Sequence, residues 1–456
     1  MSQSTHRIRR ISWQVRAGTQ SEALRVRAEL NAAWSSLLEG QFSQTCDEVA
    51  PPDVVLRIPR LELNVKTSGA ESIASTITEI VCVQLAEQLR LAREGLGHAT
   101  DNPFAARETS ASKDALEALL QYLGTGLLRW SASGHDTAEI ASGMSRVARS
   151  NLTAVVRELA VRPTEHSWFR LLQLLDGNYT SLFSLLVSQS GHVKTTSAIP
   201  LLERLLASDS SSADAVLRAA ASLVCGAFGG NTSRLTEKCA AVLRNMNPAD
   251  QASAMKVLVA VTSEFSVAQK DELSQNNVAT KQSASARTVE RVAVTNAGLV
   301  LLHPFLPTLL SRIGLSTGTA LPEESLPRAA ALLHHIATGR TDVHEFELGL
   351  IKVFLGLTPE TDLPVAQGLL SAEDIDESDA MIAAMINHWS AIGKTSVAGV
   401  RTTFLARAGM LALEDHGWTL HVDASPFDML LDRLPWGYGV VRLPWMQKPL
   451  HTQWTQ

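Results

Sequence analysis

The sequence has few cysteines and no strong excess of charge of either sign. The four cysteines, Cys46, Cys82, Cys225 and Cys239, are widely spaced and form no Cys-x-x-Cys pair, which argues against a disulfide framework and against a zinc site. Buried free thiols in a reducing cytoplasm fit this usage better. The net charge of −6 is mild, whereas a nucleic-acid-binding platform presents a basic face. The basic residues at 6–10 are interpreted as a solvated edge, with a local basic patch as the alternative.

Long apolar runs are also absent. No stretch reaches the roughly 18 apolar residues that a membrane span needs, and the start of the chain lacks the apolar core of a signal peptide. We therefore expect the chain to remain in the compartment where it is synthesised unless another protein assembly transports it. Aromatic residues make up only 5% of the 456 residues. Ala and Leu supply most of the apolar content, which favours helices, and the length predicts about two to four domains.

Motifs for catalysis and cofactor binding are missing as well. The sequence contains no His-Glu-x-x-His and no Gly-x-Ser-x-Gly, and the glycine cluster at 226–231 lacks the Lys-Ser/Thr of a phosphate loop. The acidic run at 373–379 lacks the central Gly and the closing Glu of a calcium loop. We interpret it as the charged start of a helix. These absences predict no enzyme activity, no cofactor and no metal.

Three histidines near the end of the chain, His334, His335 and His344, lie close to Glu345 and raise the hypothesis of a metal site. Adjacent side chains on a helix point about 100° apart, so the spacing is poor for shared ligation. We interpret these residues as histidines at the edge of the core, paired to the backbone. A metal hydrolase that uses them is the enzymatic alternative.

The apolar periodicity predicts a mainly α protein with small α+β parts. Residues 1–110 have the pattern of a small α+β unit, in the order strand, helix, strand, helix. Its predicted elements are a strand at 7–16, a helix at 21–43, a strand at 54–65 and a helix at 72–93. Residues 95–107 are polar or small and predict a linker.

Residues 111–273 have a helical pattern throughout. One helix starts near Asp114 and ends at Gly124 and Gly126. Further helices are predicted at 137–159, 164–187, 198–206, 212–227, 235–245 and 249–264. Short connections of this kind are typical of antiparallel helix pairs. Residues 274–288 are low in apolar side chains and predict a flexible linker.

Residues 289–456 predict a C-terminal domain of helices that ends in short strands, and we call this region the closing block. A short strand or the end of the linker is expected at 289–294. Predicted helices lie at 326–338, 345–355, 377–392 and 396–408. The pattern then changes to a hairpin at 410–422, a short helix at 425–431, and strands at 437–443 and 450–454.

Tryptophans are concentrated in the second half of the closing block. Tryptophan is costly to expose and needs a partner for its N–H group, and proline fixes the backbone before it. The candidate interaction surface therefore consists of Pro435, Trp436, Pro444, Trp445 and Met446. The alternative is that both tryptophans belong only to the core, as we expect for the stripe formed by Met381, Met385 and Trp389.

An ordered set of motifs runs through the closing block. They lie at 296–307, 328–339, 345–348, 388–389, 395–397, 401–409, 426–436 and 443–446. Together they resemble the contractile injection system tape measure protein family, whose members belong to extracellular phage-tail-like particles. The strand at 58–63 and the helix end at 122–126 are also similar to the family. Residues 127–130, Leu-Leu-Arg-Trp, stand where the family tends to have Leu-Pro-Trp.

The resemblance implies a structural assembly role without catalytic residues. The chain would set tube length alongside inner tube and baseplate proteins, with no nucleic-acid partner. It would be cytoplasmic during assembly and then lie inside the particle. A protein that measures tube length by its own extent must be long. One continuous helix of this length would span about 680 Å. The turns and prolines predict compact domains instead. A cytoplasmic assembly chaperone or scaffold for tube or cargo proteins is therefore the alternative.

Overall fold

The structure is a computed structural model that describes residues 6, 8, 14, 16–33, 39–50, 53–58, 61, 63, 73–94, 107–129, 137–188, 193–207, 213–232, 234–245, 248–275, 291–363, 365 and 368–454. The chain divides into two compact units, Met1–Glu117 and Ala118–Gln456. The fold is mainly α with small sheets, which confirms the predicted class. The domain boundaries predicted at 110, 273 and 288 stay a prediction.

The first unit combines three helices with a two-stranded antiparallel sheet. Its elements are α1 (Gln20–Ala33), α2 (Glu39–Val49), β1 (Val54–Arg57), α3 (Ile73–Glu94) and β2 (Arg107–Ser110). Val49 of α2 packs with Leu85 and Leu89 of α3 in a small apolar core. The helix predicted at 21–43 is described as α1 and α2, and the residues between them lie outside the described part, as does most of the strand predicted at 7–16.

A series of helices follows, and the first of them begins in the last residues of the first unit and continues into the second. They are α4 (Ala111–Thr125), α5 (Thr137–Ser150), α6 (Leu152–Val161), α7 (Glu165–Leu175), α8 (Thr180–Ser188), α9 (Val193–Leu206), α10 (Ala213–Ala227), α11 (Leu235–Leu243) and α12 (Pro248–Gln275). Helix α10 is buried along nearly its whole length. Trp168 of α7 stacks on Phe228, just after α10, with ring centroids 5.3 Å apart.

Three helix predictions in this region were wrong in their extent. The helix predicted at 137–159 is broken at Asn151, where α5 ends and α6 begins. The helix predicted at 164–187 ends at Asp176 and Gly177, whose φ angles of 44° and 80° are left-handed and incompatible with a continuing helix. Helix α12 continues to Gln275, past the predicted end at 264.

The closing block opens with β3 (Arg291–Val294) and a 3₁₀ helix (Ala297–Leu302). Its α-helices are α13 (Leu306–Arg312), α14 (Leu326–Thr338), α15 (Gly349–Phe354), α16 (Ala372–His388) and α17 (Val397–Val400). Ser371 caps α16, and the Asp374 side chain accepts from the Ser371 backbone N–H in return. This capping box confirms that the acidic run starts a helix. The helix predicted at 396–408 is shorter, because α17 passes into a π-helical turn, Arg401–Leu405.

A five-stranded sheet completes the closing block. Its further strands are β4 (Gly409–Glu414), β5 (Gly417–Val422), β6 (Val440–Val441) and β7 (Leu450–Trp454), in the order β3-β4-β5-β7-β6. The β4–β5 hairpin confirms the prediction at 410–422. Strand β7 pairs in parallel with β5, and the strand predicted at 437–443 is reduced to the two residues of β6. The helix predicted at 425–431 is a 3₁₀ helix, Pro426–Arg433.

Gly298 marks the closest approach between two backbone segments of the closing block. A Cβ atom at this position would lie 1.7 Å from the Phe404 carbonyl oxygen and 2.6 Å from the Leu405 Cα. Both contacts are with backbone, which cannot swing aside as a side chain can. The 3₁₀ helix Ala297–Leu302 can therefore pack against the π turn only because residue 298 has no side chain.

Gly298→Ala should destabilise the protein strongly, because one added methyl group forces two backbone segments apart. We expect the free energy of unfolding to fall by at least about 3 kcal/mol, measured by chemical denaturation. Gly437→Ala is the matched control, since a Cβ there meets nothing within 4 Å, and it should change stability by less than about 0.5 kcal/mol. Equal stability of the two variants would contradict the close approach.

Candidate functional site

The two Pro-Trp pairs of the predicted interaction surface are each held by a hydrogen bond to a distant backbone carbonyl. Trp436 donates from Nε1 to the Leu301 carbonyl at 2.9 Å and packs edge-on against Phe305, with ring centroids 5.2 Å apart. Trp445 donates from Nε1 to the Phe354 carbonyl at 2.7 Å. Each side chain is half-buried, so part of each ring packs on the core and part faces outward.

The remaining members of the predicted surface differ in burial. Pro435 and Pro444 are exposed, whereas Met446 is buried. The Met446 sulfur accepts a hydrogen bond from the Leu443 backbone N–H at 3.3 Å, which tightens the turn around Trp445. Outward-facing groups are thus present at both pairs, and the role of these residues in binding stays a prediction.

The other predicted stripe lies in the core. Met385 and Trp389 are fully buried and Met381 is 9% exposed. The Trp389 ring lies 4.9 Å from the Phe404 ring, centroid to centroid. The prediction that this stripe is core is therefore confirmed.

An open groove of about 490 Å³ lies beside Trp445, and we call it the Trp445 groove. Three segments form its walls, at 319–326, 355–357 and 444–447. Its lining combines apolar side chains with exposed polar atoms and consists of Thr319, Ala320, Leu321, Leu326, Leu355, Leu357, Pro444, Trp445, Met446 and Gln447. Gly356 has a φ of 81°, and a Cβ there would lie 2.7 Å from the Trp445 carbonyl oxygen. A glycine at 356 therefore allows the two walls to meet.

A buried ionic network ties the helical middle to the closing block, and sequence reasoning missed it. Arg170 of α7 is 1% exposed. It forms a bidentate ion pair with Glu345, with Nε–Oε2 and Nη2–Oε1 distances of 2.7 and 2.8 Å. Its Nη1 donates to the Leu123 carbonyl at 2.9 Å, and its Nη2 also contacts Asp362. Lys352, fully buried, donates to Glu345 at 3.1 Å.

His166 extends the same network to the surface. Its Nδ1 lies 2.7 Å from an Asp362 oxygen, and both side chains are partly exposed. At the inner end, Gly126 at the end of α4 leaves room for the ion pair, because a Cβ there would lie 2.6 Å from the Glu345 Oε1. Two cations, Arg170 and Lys352, thereby balance two carboxylates in an otherwise apolar region.

A second buried carboxylate, that of Glu347, forms hydrogen bonds and ion pairs with residues of several elements. Its Oε2 lies 3.2 Å from the His334 Nε2 and accepts from the His344 backbone N–H at 3.3 Å. Its Oε1 accepts from the Thr137 hydroxyl of α5 at 3.3 Å and pairs with Arg340. Helix α5 is thus also linked to the closing block.

The carboxylates of both networks are held ionised. Burial by itself would raise the pKa of Glu345, but the hydrogen bonds and charges of Arg170 and Lys352 lower it below its ordinary value. In the same way, Asp362 has a lowered pKa because His166 and Arg170 outweigh burial. The pKa of Glu347 is lowered because His334 and Arg340 outweigh its burial.

The interpretation of these histidines as residues paired to the backbone was right for His335 and wrong for His334. His335 pairs with the backbone as predicted, since its Nδ1 lies 3.2 Å from the Arg340 carbonyl. His334 pairs with the Glu347 carboxylate instead, because the 3₁₀ helix Glu345–Glu347 brings that side chain against α14. Within the described residues, no group of three or more His, Cys, Asp or Glu side chains is placed to hold a metal ion.

Two of the four thiols are buried. Desolvation raises the pKa of Cys225 and of Cys239 to about 12, so neither is a thiolate at neutral pH. Cys46 and Cys82 are partly buried. In the described part of the chain, no helix combines the length and apolar character that crossing a membrane requires.

Sequence comparison identifies one family for this chain. A family model described as contractile injection system tape measure protein matches residues 5–454. The match includes the helical middle, where the motifs quoted above are sparse. No curated protein and no solved structure matches the chain.

Arg170→Met should destabilise the protein, because it leaves the buried Glu345 carboxylate with too little positive charge and removes a partner of Asp362. We expect a loss of about 3–5 kcal/mol in the free energy of unfolding, measured by urea denaturation. Arg312→Met is the matched control. Arg312 pairs with Glu377 but is 69% exposed, so its loss should cost under about 1 kcal/mol. Similar losses for both variants would contradict a special role for the buried pair.

Acid should weaken the ion pairs of both buried networks. Glu345, Asp362 and Glu347 have lower pKa values in the folded state than in the unfolded state, so their contribution to stability is present above the ordinary carboxyl pKa and is lost as pH falls through the folded values. We expect the free energy of unfolding to drop as the pH falls below about 4.5. In the Arg170→Met variant, the free energy of unfolding should fall less steeply with pH than in the wild type. Parallel curves of unfolding free energy against pH for the two proteins would show that Arg170 does not lower the pKa of these carboxylates.

Proposed function

Because the chain belongs to the contractile injection system tape measure protein family, we propose that it sets the length of the inner tube while an injection particle assembles. The observation that carries this proposal is the family match along residues 5–454. The ordered motifs of the closing block lie within this match. Tape measure proteins work within the tube of the particle, so inner tube and baseplate subunits are the proposed partners.

The structural contacts of the family-like motifs favour a role that depends on shape. Arg328 pairs with Asp374 through two hydrogen bonds of 3.0 and 2.6 Å. Arg407 pairs with Asp428 through two bonds of 2.8 and 3.2 Å. These motif side chains join one element of the closing block to another. We infer that they specify a body that other subunits contact, and that the chain acts without a catalytic site.

The outward-facing parts of Trp436 and Trp445 are the proposed contact points. Half-buried tryptophans that are fixed by hydrogen bonds offer rigid apolar surface at little entropic cost. The exposed prolines Pro435 and Pro444 flank them, and Met446 anchors the second pair from inside. We propose that tube or baseplate subunits dock here during cytoplasmic assembly, before the chain is enclosed in the particle.

A second candidate is an assembly chaperone or scaffold that acts before the tube forms. Among the described residues, the longest helix is α12 with 28 residues, which spans only about 42 Å. Within the second unit, short elements that fold back on one another favour a compact body over an extended ruler. A scaffold should co-purify with monomeric tube or cargo subunits in the absence of assembled tubes, whereas a tape measure should co-purify with particles.

Deletion of the gene from a cell that makes the particle is the direct test. We expect tubes that are absent or of irregular length, measured by electron microscopy of purified particles, because nothing would then define where polymerisation stops. Restoring the wild-type gene on a plasmid should restore a uniform length. Deletion mutants with tubes of normal and uniform length would refute the proposed role.

A further inference from the structure

The Trp445 groove has the size and the rigidity of a binding site. Its volume of about 490 Å³ lies within the range of about 300–1,000 Å³ that is typical of ligand pockets. One wall is fixed by the Trp445 hydrogen bond to the Phe354 carbonyl and by the close approach at Gly356. A site that is already formed binds with a smaller entropic cost than one that must be ordered.

The opposite wall is held by its own backbone hydrogen bonds. The Thr317 N–H donates to the Ala320 carbonyl at 3.0 Å, and the Gly318 N–H donates to the Ser316 hydroxyl at 2.8 Å. The 3₁₀ turn Glu323–Ser325 follows, with the Ser325 N–H bonded to the Pro322 carbonyl at 2.9 Å. Both walls are therefore ordered before any ligand arrives.

Charged side chains that take no part in the ion pairs described above lie next to the lining residues of the groove. Glu323 and Glu324 are exposed and lie in the turn between the lining residues Leu321 and Leu326. Lys448 is exposed and directly follows the lining residue Gln447. Among the residues that the structure describes, none of these three charged side chains has an ion-pair partner. The turn between Leu321 and Leu326 thus carries two negative charges, and the segment 444–447 is followed by one positive charge.

The shape and the charges of the groove restrict its occupant. The groove is concave and open to solvent. An apolar side chain of a peptide fills such a hollow, and a basic neighbour of that side chain complements Glu323 and Glu324. Lys448 disfavours a uniformly basic segment, because like charges repel at close range.

We propose that the Trp445 groove binds a short peptide segment of another protein through one apolar side chain seated between Leu357 and Trp445, with a basic residue beside Glu323 and Glu324. The inference names the ligand class of the Trp445 surface and rests on that part of the proposed function. Seating the anchor covers the outward face of the Trp445 ring, which provides the apolar contact. The acidic rim sets the direction in which the peptide lies.

Peptide display on the purified full-length chain tests this proposal without the particle. Random nine-residue peptides on phage are selected against the wild-type chain after depletion on the Leu357→Arg variant, and selected peptides are titrated by fluorescence polarisation. We expect a consensus with one aliphatic or aromatic residue next to Lys or Arg. Binding should be lost in Leu357→Arg and weakened about tenfold in the double variant Glu323→Lys/Glu324→Lys, a change of about 1.4 kcal/mol.

Asp415→Lys is the matched control for the charge reversal. Asp415 is exposed in the turn of the β4–β5 hairpin and does not line the groove, so this variant should bind as the wild type does. The double variant changes only exposed side chains, which keeps the test valid if Leu357→Arg folds poorly. Circular dichroism of each variant verifies its folding.

Three results of the peptide experiment would overturn the proposal. They are the absence of an enriched consensus, a consensus without a basic residue, and equal binding to the wild type and to the double variant. A concentration-dependent dimer that Leu357→Arg abolishes would assign the groove to a second copy and would likewise overturn it. None of these results depends on tube length, so failure here and failure of the deletion test are separate outcomes.

Discussion

A guanidinium that is removed from water must be paired, and Arg170 is where this requirement shapes the second unit. Its partners Glu345 and Asp362 lie 175 and 192 residues further along the chain. Helix α7 therefore has to lie where those carboxylates reach it, and Lys352 balances the remaining charge. Because an uncompensated charge at such a depth costs several kcal/mol, alternative packings that bury equal apolar area but separate these groups are disfavoured.

Close backbone contacts make the closing block equally specific. Gly298 lets the 3₁₀ helix Ala297–Leu302 approach the π turn, and Gly356 lets the segment around Trp445 lie against the end of α15. The two half-buried tryptophans then donate to carbonyls at Leu301 and Phe354. Each contact joins segments of the block that are about 90 to 135 residues apart in the sequence. The result is a rigid body that presents indole faces and a groove at its surface.

This arrangement is consistent with a protein that works through its surfaces. Conspicuous charged residues of the family-like motifs, such as Arg328 and Arg407, are committed to partners inside the fold. Charged groups without partners in the described part of the chain occur at the rim of the Trp445 groove. The distinction separates residues that define the body from those available to a partner.

The sequence by itself determined the mainly α class, the β4–β5 hairpin, the charged start of α16 and the burial of Trp389, because periodicity and charge patterns are local signals. It indicated that Trp436 and Trp445 matter, but not which carbonyls they bind. Only the tertiary structure decided the breaks at Asn151 and Asp176, the parallel pairing of β5 with β7, the Arg170 network and the walls of the groove. The last three of these features join residues tens to hundreds of positions apart, and no local pattern records a contact whose energy exists only once both partners are buried together.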